Sequence, residues 1–322
     1  MPQRPSVLRT LGAFGAFGAF GALASCDRSQ RSEASATAKP TAREPQPSAA
    51  TEPTSGSAPA LTVPATQIYQ VRDLAAGERR PLLIFLHGLG SSGQSMFDAL
   101  HLAEFGARER VFVVAPDGSP DHQGRRFWNA GAACCNFDHR AIDDVARLGG
   151  LIDSWRARPD VDPKRVFVMG HSNGGFMTER LACALGERIS GAVSLAGAAP
   201  PIDLPCARSG SLALLTVHGN ADVIVRYEGG TVFDSPEPAA FPSAPQGFKD
   251  WAARLHCSGE AQRLPDVDVE EWLPGAETSA MQYPHCVGGS VTLWTVRGGD
   301  HSVGTDPHAL DAIWQFLNAA PH

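Results

Sequence analysis

The stretch "RVFVMGHSNGGFMTER", residues 165–180, places an apolar run directly before a cluster of small residues. The apolar run is typical of a buried strand, and a helix-like stretch follows Gly175. In the pattern G-x-S-x-G, a serine lies on a strained turn from strand to helix, and the glycines avoid collisions with neighbouring backbone. Such a turn exposes the hydroxyl of Ser172 beside the backbone N–H of Asn173, a nucleophile and one oxyanion donor. A plain glycine-rich turn has the same local pattern, so the rest of the chain decides.

Apolar runs alternate with helical patterns along most of the chain. Most of the runs are apolar at every position, which is typical of parallel strands that are covered on both faces. We therefore predict a mostly parallel, doubly wound α/β sheet, with its site at the carboxyl ends of the strands. Strands are predicted at 66–71, 81–88, 110–118, 165–170, 189–197, 211–219 and 290–299, and helices at 141–156, 174–186, 248–255 and 308–318.

A serine, an acid and a histidine follow three of these strands. Ser172 follows the central strand, Asp222 lies in "HGNADVIV", and His301 ends "GGDH". This order along the chain is the arrangement of α/β-hydrolases. We predict that Ser172 attacks a carbonyl carbon, that His301 takes its proton, and that Asp222 fixes the tautomer of the imidazole. Only neutral His301 can act as the base, so the rate is expected to rise with pH.

A closer resemblance rests on seven segments, which are "LHGLGSSG", "PDG", "FWNAGAACC", "DDV", "GHSNGGFMTERLAC", "HGNADVIVRYEGG" and "GGDH". Together they resemble the secreted polyhydroxybutyrate depolymerase-like and feruloyl or acetyl-xylan esterases related to carbohydrate esterase family 1. The match covers roughly residues 65–310. The resemblance implies an α/β-hydrolase fold, no cofactor and hydrolysis of carboxylic esters. It also implies that the backbone N–H of Leu89 is the second oxyanion donor.

Other acids and histidines compete for the catalytic roles. Asp300 adjoins His301 in the chain, so its carboxylate is poorly placed to reach the ring of that histidine. His285 and His308 are expected at the surface, because one lies between two cysteines and the other begins the last predicted helix. Asp222 and His301 therefore remain the predicted acid and base.

Three further side chains are predicted near the site. His87 is expected to support the oxyanion loop. His171 and Trp128 are candidates for contact with substrate, and a packing role is the alternative for both. The connection between "SLAG" and "SLALL" is too short for the cap domain that lipases insert there. We therefore expect no large cap and an open site, which suits bulky or polymer-borne esters.

The N-terminus has the layout of a secretory signal. Arg4 and Arg9 precede the uncharged stretch "LGAFGAFGAFGALAS", which is short for a membrane span. The stretch ends in Leu23-Ala24-Ser25-Cys26, which resembles the lipobox of bacterial lipoproteins and implies cleavage before Cys26 and a diacylglycerol on its thiol. An ordinary signal peptide with an incidental cysteine is the alternative.

The composition changes after Cys26. Ser, Ala, Thr, Pro, Glu and Gln dominate as far as about Pro64, and such a segment cannot bury a core. We predict a signal peptide at 1–25, a lipidated cysteine and disordered tether at 26–62, and a catalytic domain at 63–322. The protein is then exported and anchored by lipid at the cell envelope, or is extracellular.

The other six cysteines predict three disulfides, because an even number in an exported protein is typical of a disulfide framework. Cys257 and Cys286 form the best pair, since they flank one segment between predicted elements. Cys134 and Cys135 are expected to connect the "WN" loop to Cys183 and Cys206, and a bond between the two neighbours is a strained alternative.

The overall composition excludes some classes of partner. The net charge is −7 and basic residues are not clustered, which argues against nucleic acid. No H-E-x-x-H or paired C-x-x-C spacing occurs, so we predict no metal. We expect a monomer that acts on an ester, polymeric or small. The alternatives are an acyltransferase that uses the same three residues and a non-catalytic surface binding protein.

Overall fold

The computed structural model describes residues 66–206, 211–234 and 239–319. The predicted signal peptide, Cys26 and the tether lie outside these residues. Most of the described strands join one central sheet, and a separate hairpin precedes the "WN" loop. The strands are β1 (Thr66–Tyr69), β2 (Arg80–Leu86), β3 (Phe112–Pro116), β4 (Ser119–Pro120), β5 (Arg126–Phe127), β6 (Val161–His171), β7 (Gly191–Leu195), β8 (Leu212–Gly219), β9 (Cys257–Ser258), β10 (Gln262–Val267), β11 (Thr278–Cys286) and β12 (Gly289–Val296).

The central sheet has the order β1-β3-β2-β6-β7-β8-β12-β11-β10, with β9 also paired to β11. The six strands from β3 to β12 in this order are parallel to one another. The remaining strands pair antiparallel at the two edges. This arrangement confirms the predicted α/β-hydrolase architecture, and it brings the carboxyl ends of β6, β8 and β12 to one edge.

The sheet is covered on both faces, as the apolar runs predicted. In β2, Leu82, Ile84 and Leu86 pack into one core cluster, whereas Leu83 and Phe85 pack into the cluster on the opposite face. Each of these side chains is fully buried. Because successive side chains of a strand point to opposite faces, a strand must be apolar throughout when both of its faces are covered.

Helices pack on the sheet. Asp143 caps one of them, since its Oδ1 accepts from the N–H of Ala146 at 2.9 Å. The helices that pack on β6 and β7 and close the chain were predicted, whereas the two short helices after β2 were not. The helices are α1 (Gly93–Ala99), α2 (Leu102–Glu109), α3 (Asp144–Arg156), α4 (Asn173–Ala184), α5 (Ala244–Arg254) and α6 (Pro307–Ala319). None of the helices in the described part of the chain has the length and apolarity that a membrane span requires.

Strands β9, β10 and β11 were not predicted. Their residues are mostly half-buried or exposed, so they lack the continuous apolar run that marks the central strands. Pro265 lies inside β10 and Pro284 inside β11, and proline within a run argues against a strand. Both prolines lie where the register of the ladder shifts, between Leu264 and Val267 in β10 and between Tyr283 and Cys286 in β11, and proline is tolerated at such irregularities.

The connection from β7 to β8 is short, as expected. Its described residues, 196–206 and 211, hold no helix and no strand. No large cap domain is present in the described residues.

One disulfide has the predicted pairing and one prediction was wrong. Cys257 is bonded to Cys286. The expected link from Cys134 and Cys135 to the other two cysteines does not form, because Cys134 is bonded to Cys135 and Cys183 to Cys206. The reason is burial in different places, since Cys183 lies in the last turn of α4 and packs in one core cluster, whereas Cys134 and Cys135 pack in a separate cluster beside the start of that helix.

Candidate active site

Ser172 lies at the sharp turn between β6 and α4. Its backbone has φ 55° and ψ −119°, a conformation that residues other than glycine rarely adopt. A Cβ atom at Gly170 would lie 2.3 Å from the carbonyl oxygen of Gly174, and one at Gly174 would lie 2.1 Å from that of Leu86. The glycines of the G-x-S-x-G pattern are therefore required by close backbone packing, as the sequence predicted.

The structure brings Ser172, His301 and Asp222 together. Oγ of Ser172 lies 2.9 Å from Nε2 of His301, and Nδ1 of His301 lies 2.7 Å from Oδ2 of Asp222. Both distances are those of hydrogen bonds. The three residues follow β6, β12 and β8, so the topology of the sheet produces their proximity. Ser172 and His301 are partly exposed, and Asp222 is buried.

Asp222 is held as a carboxylate by its hydrogen bonds. Burial alone would raise the pKa of this carboxyl, but hydrogen bonds from His218, His301 and the backbone hold it well below its usual value. Oδ1 accepts from the N–H groups of Ile224 and Val225 at 2.8 and 3.0 Å. The negative charge is thus placed where it can stabilise a protonated imidazole at His301.

Asp300, the rival candidate for the catalytic acid, forms hydrogen bonds with Ser302. Its Oδ1 accepts from the backbone N–H of Ser302 at 2.8 Å and also from the hydroxyl of that residue. The carboxylate therefore caps the loop that carries His301. Of the rival histidines, His308 lies 3.9 Å from Asp268, and His285 lies in β11.

The two predicted oxyanion donors lie on either side of Ser172. Asn173 is the first residue of α4, where backbone N–H groups have no partner within the helix. Leu89 follows Gly88, and a Cβ atom at Gly88 would lie only 3.4 Å from Cβ of Ser172. Among the described residues, neither the N–H of Leu89 nor that of Asn173 donates a hydrogen bond. Their role as donors to an oxyanion stays a prediction.

Trp128 forms hydrogen bonds with both segments that carry the predicted oxyanion donors. Its backbone N–H donates to Oδ1 of Asn173 at 2.7 Å, and Nδ2 of Asn173 donates to the carbonyl of Trp128 at 2.9 Å. The indole N–H donates to the carbonyl of His87 at 2.9 Å. The side chain of Trp128 is fully buried, which favours the packing role that was the alternative to contact with substrate.

His87 supports the loop that carries Leu89, which is the predicted oxyanion loop. Its Nε2 accepts from the N–H of Gly118 at 2.9 Å, so Nδ1 carries the proton and donates to the carbonyl of Gly88 at 2.7 Å. Burial lowers the pKa of His87, which keeps the ring neutral and this pattern intact.

His171 contacts the backbone of the predicted base. Its Nε2 donates to the carbonyl oxygen of His301 at 2.6 Å. Burial lowers the pKa of His171 to about 4, so the ring is neutral at ordinary pH. The residue is partly exposed, and its contact with substrate stays a prediction.

Two features beside the site were missed. The ring of His218 is buried, with Nε2 2.7 Å from the carbonyl of Val225 and 3.5 Å from Oδ2 of Asp222. Its place at the end of a strand, four residues before the acid, was the available signal. An apolar cluster also borders the start of α4, and a bonded pair of cysteines belongs to it. The cluster comprises Phe127, Cys134, Cys135, Phe176, Ala198, Val225, Val232 and Phe241, with Leu89 packed against it.

Within the described part of the chain, no group of three or more His, Cys, Asp or Glu residues could hold a metal ion. The absence of a metal and of a cofactor stays a prediction.

Comparisons with known proteins show that this chain is similar to esterases. A family model described as "Phospholipase/Carboxylesterase" matches residues 74–235. "Feruloyl esterase B" of Piromyces equi is 29% identical over 247 residues, which cover 73% of this chain and 42% of that protein. "Poly(3-hydroxyalkanoate) depolymerase C" of Paucimonas lemoignei is 22% identical over 245 residues, which cover 70% of this chain and 56% of that protein. The chain therefore spans about half the length of these relatives.

Among solved structures, an acetyl xylan esterase from Aspergillus awamori superposes with a TM-score of 0.57 at 15% identity. The match covers 79% of this chain and 93% of that protein. At this identity the likeness shows a common fold.

Proposed function

Because the chain belongs to the phospholipase/carboxylesterase family, we propose that it is a serine esterase that hydrolyses carboxylic esters. The observation that carries the proposal is the line of hydrogen bonds from Ser172 through His301 to Asp222, at 2.9 and 2.7 Å. A nucleophile, a base and a residue that orients the base are the parts of a serine hydrolase.

In the first half of the reaction, Oγ of Ser172 attacks the ester carbonyl while Nε2 of His301 takes its proton. The negative charge of Asp222 stabilises the imidazolium that results. The carbonyl oxygen becomes an oxyanion between the N–H groups of Leu89 and Asn173, and each such donor contributes about 3 kcal/mol to the transition state. The imidazolium then gives its proton to the leaving alcohol, and an acyl-enzyme remains.

In the second half, water takes the place of the alcohol. His301 accepts a proton from the water, whose oxygen attacks the acyl group on Ser172. The same two backbone donors receive the second oxyanion. Collapse of this intermediate releases the acid, and the proton on His301 returns to Oγ of Ser172. The partial exposure of Ser172 and His301 gives water and substrate direct access.

The test is hydrolysis of p-nitrophenyl acetate by the full chain and by Ser172→Ala. We expect turnover only in the wild type, and a fluorophosphonate probe should label the wild type at Ser172 alone. Circular dichroism of both proteins controls for folding. Turnover or labelling of the alanine variant at the wild-type rate would show that another residue is the nucleophile.

We propose polymer-borne esters as the substrate class, either poly(3-hydroxyalkanoate) or feruloyl and acetyl esters of polysaccharides. One relative is named as a feruloyl esterase and another as a poly(3-hydroxyalkanoate) depolymerase, and the partly exposed nucleophile suits a bulky chain. Rates on a panel of these polymers and on short esters measure the preference. Added acceptor alcohols test for acyl transfer, which would give new esters in place of free acid.

We propose that the protein is exported, is anchored by lipid at Cys26 and acts as a monomer. The three disulfides support export, because structural disulfides persist mainly in oxidising compartments. Mass spectrometry of the mature N-terminus decides the anchoring, since the proposal requires a first residue Cys26 that carries acyl chains. An unmodified peptide that begins elsewhere would contradict it.

A further inference from the structure

Glu270 is a buried acid outside the line of catalytic hydrogen bonds. It lies in the connection between β10 and β11 and is 1% exposed. Its Oε1 accepts from the backbone N–H of Gly304 at 2.6 Å, and its Oε2 accepts from the indole N–H of Trp272 at 2.7 Å. Among the described residues, no cation forms a salt bridge with it. Burying an unpaired carboxylate is costly, so stability alone does not account for this residue.

Gly304 ends the short loop that begins at His301. Its φ is +73°, and a Cβ atom here would lie 2.8 Å from Cδ2 of Leu195, so the loop is packed closely against the end of β7. At the other end of the loop, His171 donates to the carbonyl of His301 at 2.6 Å. The loop is therefore held at both ends by side chains from other elements.

We infer that Glu270 is a positioning residue for the reaction: through its hydrogen bond from Gly304, it holds the loop that places His301 between Ser172 and Asp222. The inference rests on the proposed function for its kinetic consequences. A displacement of a catalytic group by about 1 Å can cost about 100-fold in rate. The carboxylate accepts the hydrogen bond from the N–H of Gly304. Removal of the carboxylate therefore leaves this end of the loop without that hydrogen bond.

Protonation of Glu270 should loosen the same contact. Burial raises its pKa to about 7, and the neighbouring acids Asp306 and Glu277 add to the effect, while the hydrogen bonds from Gly304 and Trp272 oppose it. Among the described residues, these two acids are the charged groups with the main effect on this carboxyl. Above this pKa the carboxylate accepts both hydrogen bonds, and below it one oxygen carries a proton and accepts less well.

The experiment compares Glu270→Leu, Glu270→Gln and Trp272→Phe at pH 9, with p-nitrophenyl acetate as substrate. The leucine variant removes both acceptor oxygens and fits a buried site, so we expect kcat to fall about tenfold to 100-fold with little change in KM. The glutamine variant keeps one acceptor and should recover part of this loss. Trp272→Phe is the matched control, because it breaks the other hydrogen bond and leaves the contact with Gly304.

The amide proton of Gly304, followed by NMR in the wild type, provides a measurement that needs no substrate. We expect the chemical shift of this proton to change with pH as Glu270 ionises, and this change should be absent in Glu270→Gln. A wild-type kcat in Glu270→Leu, an equal loss in Trp272→Phe, or a pH-independent Gly304 signal would each overturn the inference. If the wild type hydrolyses no ester, the proposed function fails, and the Gly304 signal still decides whether Glu270 holds the loop.

Discussion

Replacing Asp222 with asparagine keeps the size of the side chain and exchanges one oxygen for an NH₂ group. Oδ1 accepts from the N–H groups of Ile224 and Val225, so the amide oxygen keeps that position. The NH₂ group then lies where Oδ2 was, 2.7 Å from Nδ1 of His301. Because an NH₂ group only donates, Nδ1 must accept and the ring proton moves to Nε2. In this tautomer His301 cannot take the proton of Ser172.

We expect kcat of Asp222→Asn to fall about 10⁴-fold, the loss that the same change causes in a well-studied serine protease, which is about 5 kcal/mol. Asp300→Asn is the matched control. An asparagine carbonyl can still accept from Ser302, so its kcat should stay within about threefold of the wild type. Initial rates with saturating p-nitrophenyl acetate measure both variants, after active sites are counted with a fluorophosphonate. A larger loss for Asp300→Asn would refute the assignment of the acid.

Three further substitutions test the residues that surround the proposed catalytic groups. Trp128→Phe removes the N–H that donates to the carbonyl of His87, so urea unfolding should show a loss of about 1–3 kcal/mol, and kcat should fall because the oxyanion loop is loosened. An unchanged kcat would contradict this role. Gly174→Ala places a Cβ 2.1 Å from the carbonyl of Leu86, and we expect a loss of about 3 kcal/mol and no reaction with a fluorophosphonate. Glu270→Gln tests the carboxyl whose pKa is raised to about 7. A raised pKa gives stability that is present at low pH and lost as the pH rises through about 7. Between pH 5 and 8 the free energy of unfolding of the wild type, measured in urea, should therefore fall by on the order of 2–3 kcal/mol more than that of the variant. Equal decreases in the two proteins would contradict the raised pKa of Glu270.

The sequence predicted those parts of the fold in which one physical requirement dominates. The central strands are buried on both faces, so every residue from Leu82 to Leu86 is apolar and the run is visible without a structure. The turn at Ser172 needs glycine at two fixed positions, so it too leaves a local pattern. The edge strand β10 meets water, accepts Pro265 and has no such pattern.

The pairing of the cysteines failed for a related reason. Sequence separation shows how long a loop a bond would close, but it does not show which side chains share a cluster. Cys134 and Cys135 were expected to be linked to Cys183 and Cys206, but Cys134 packs near the start of α4, whereas Cys183 lies in the last turn of that helix. The contact between the loop that carries Cys134 and the start of this helix is a tertiary contact, which sequence separation does not show.

The contacts around the proposed catalytic groups join residues that are far apart in the chain. The bond between Glu270 and Gly304 spans 34 positions, that between Trp128 and His87 spans 41, and that between His171 and His301 spans 130. Each has a backbone N–H or C=O group on one side, and a backbone group carries no sequence signature. A catalytic side chain must have one particular chemistry and is therefore recognisable, whereas its support needs only a donor or an acceptor at the right place. This difference explains why the grouping of Ser172, Asp222 and His301 could be predicted from the sequence, whereas the contact of Glu270 with Gly304 could not.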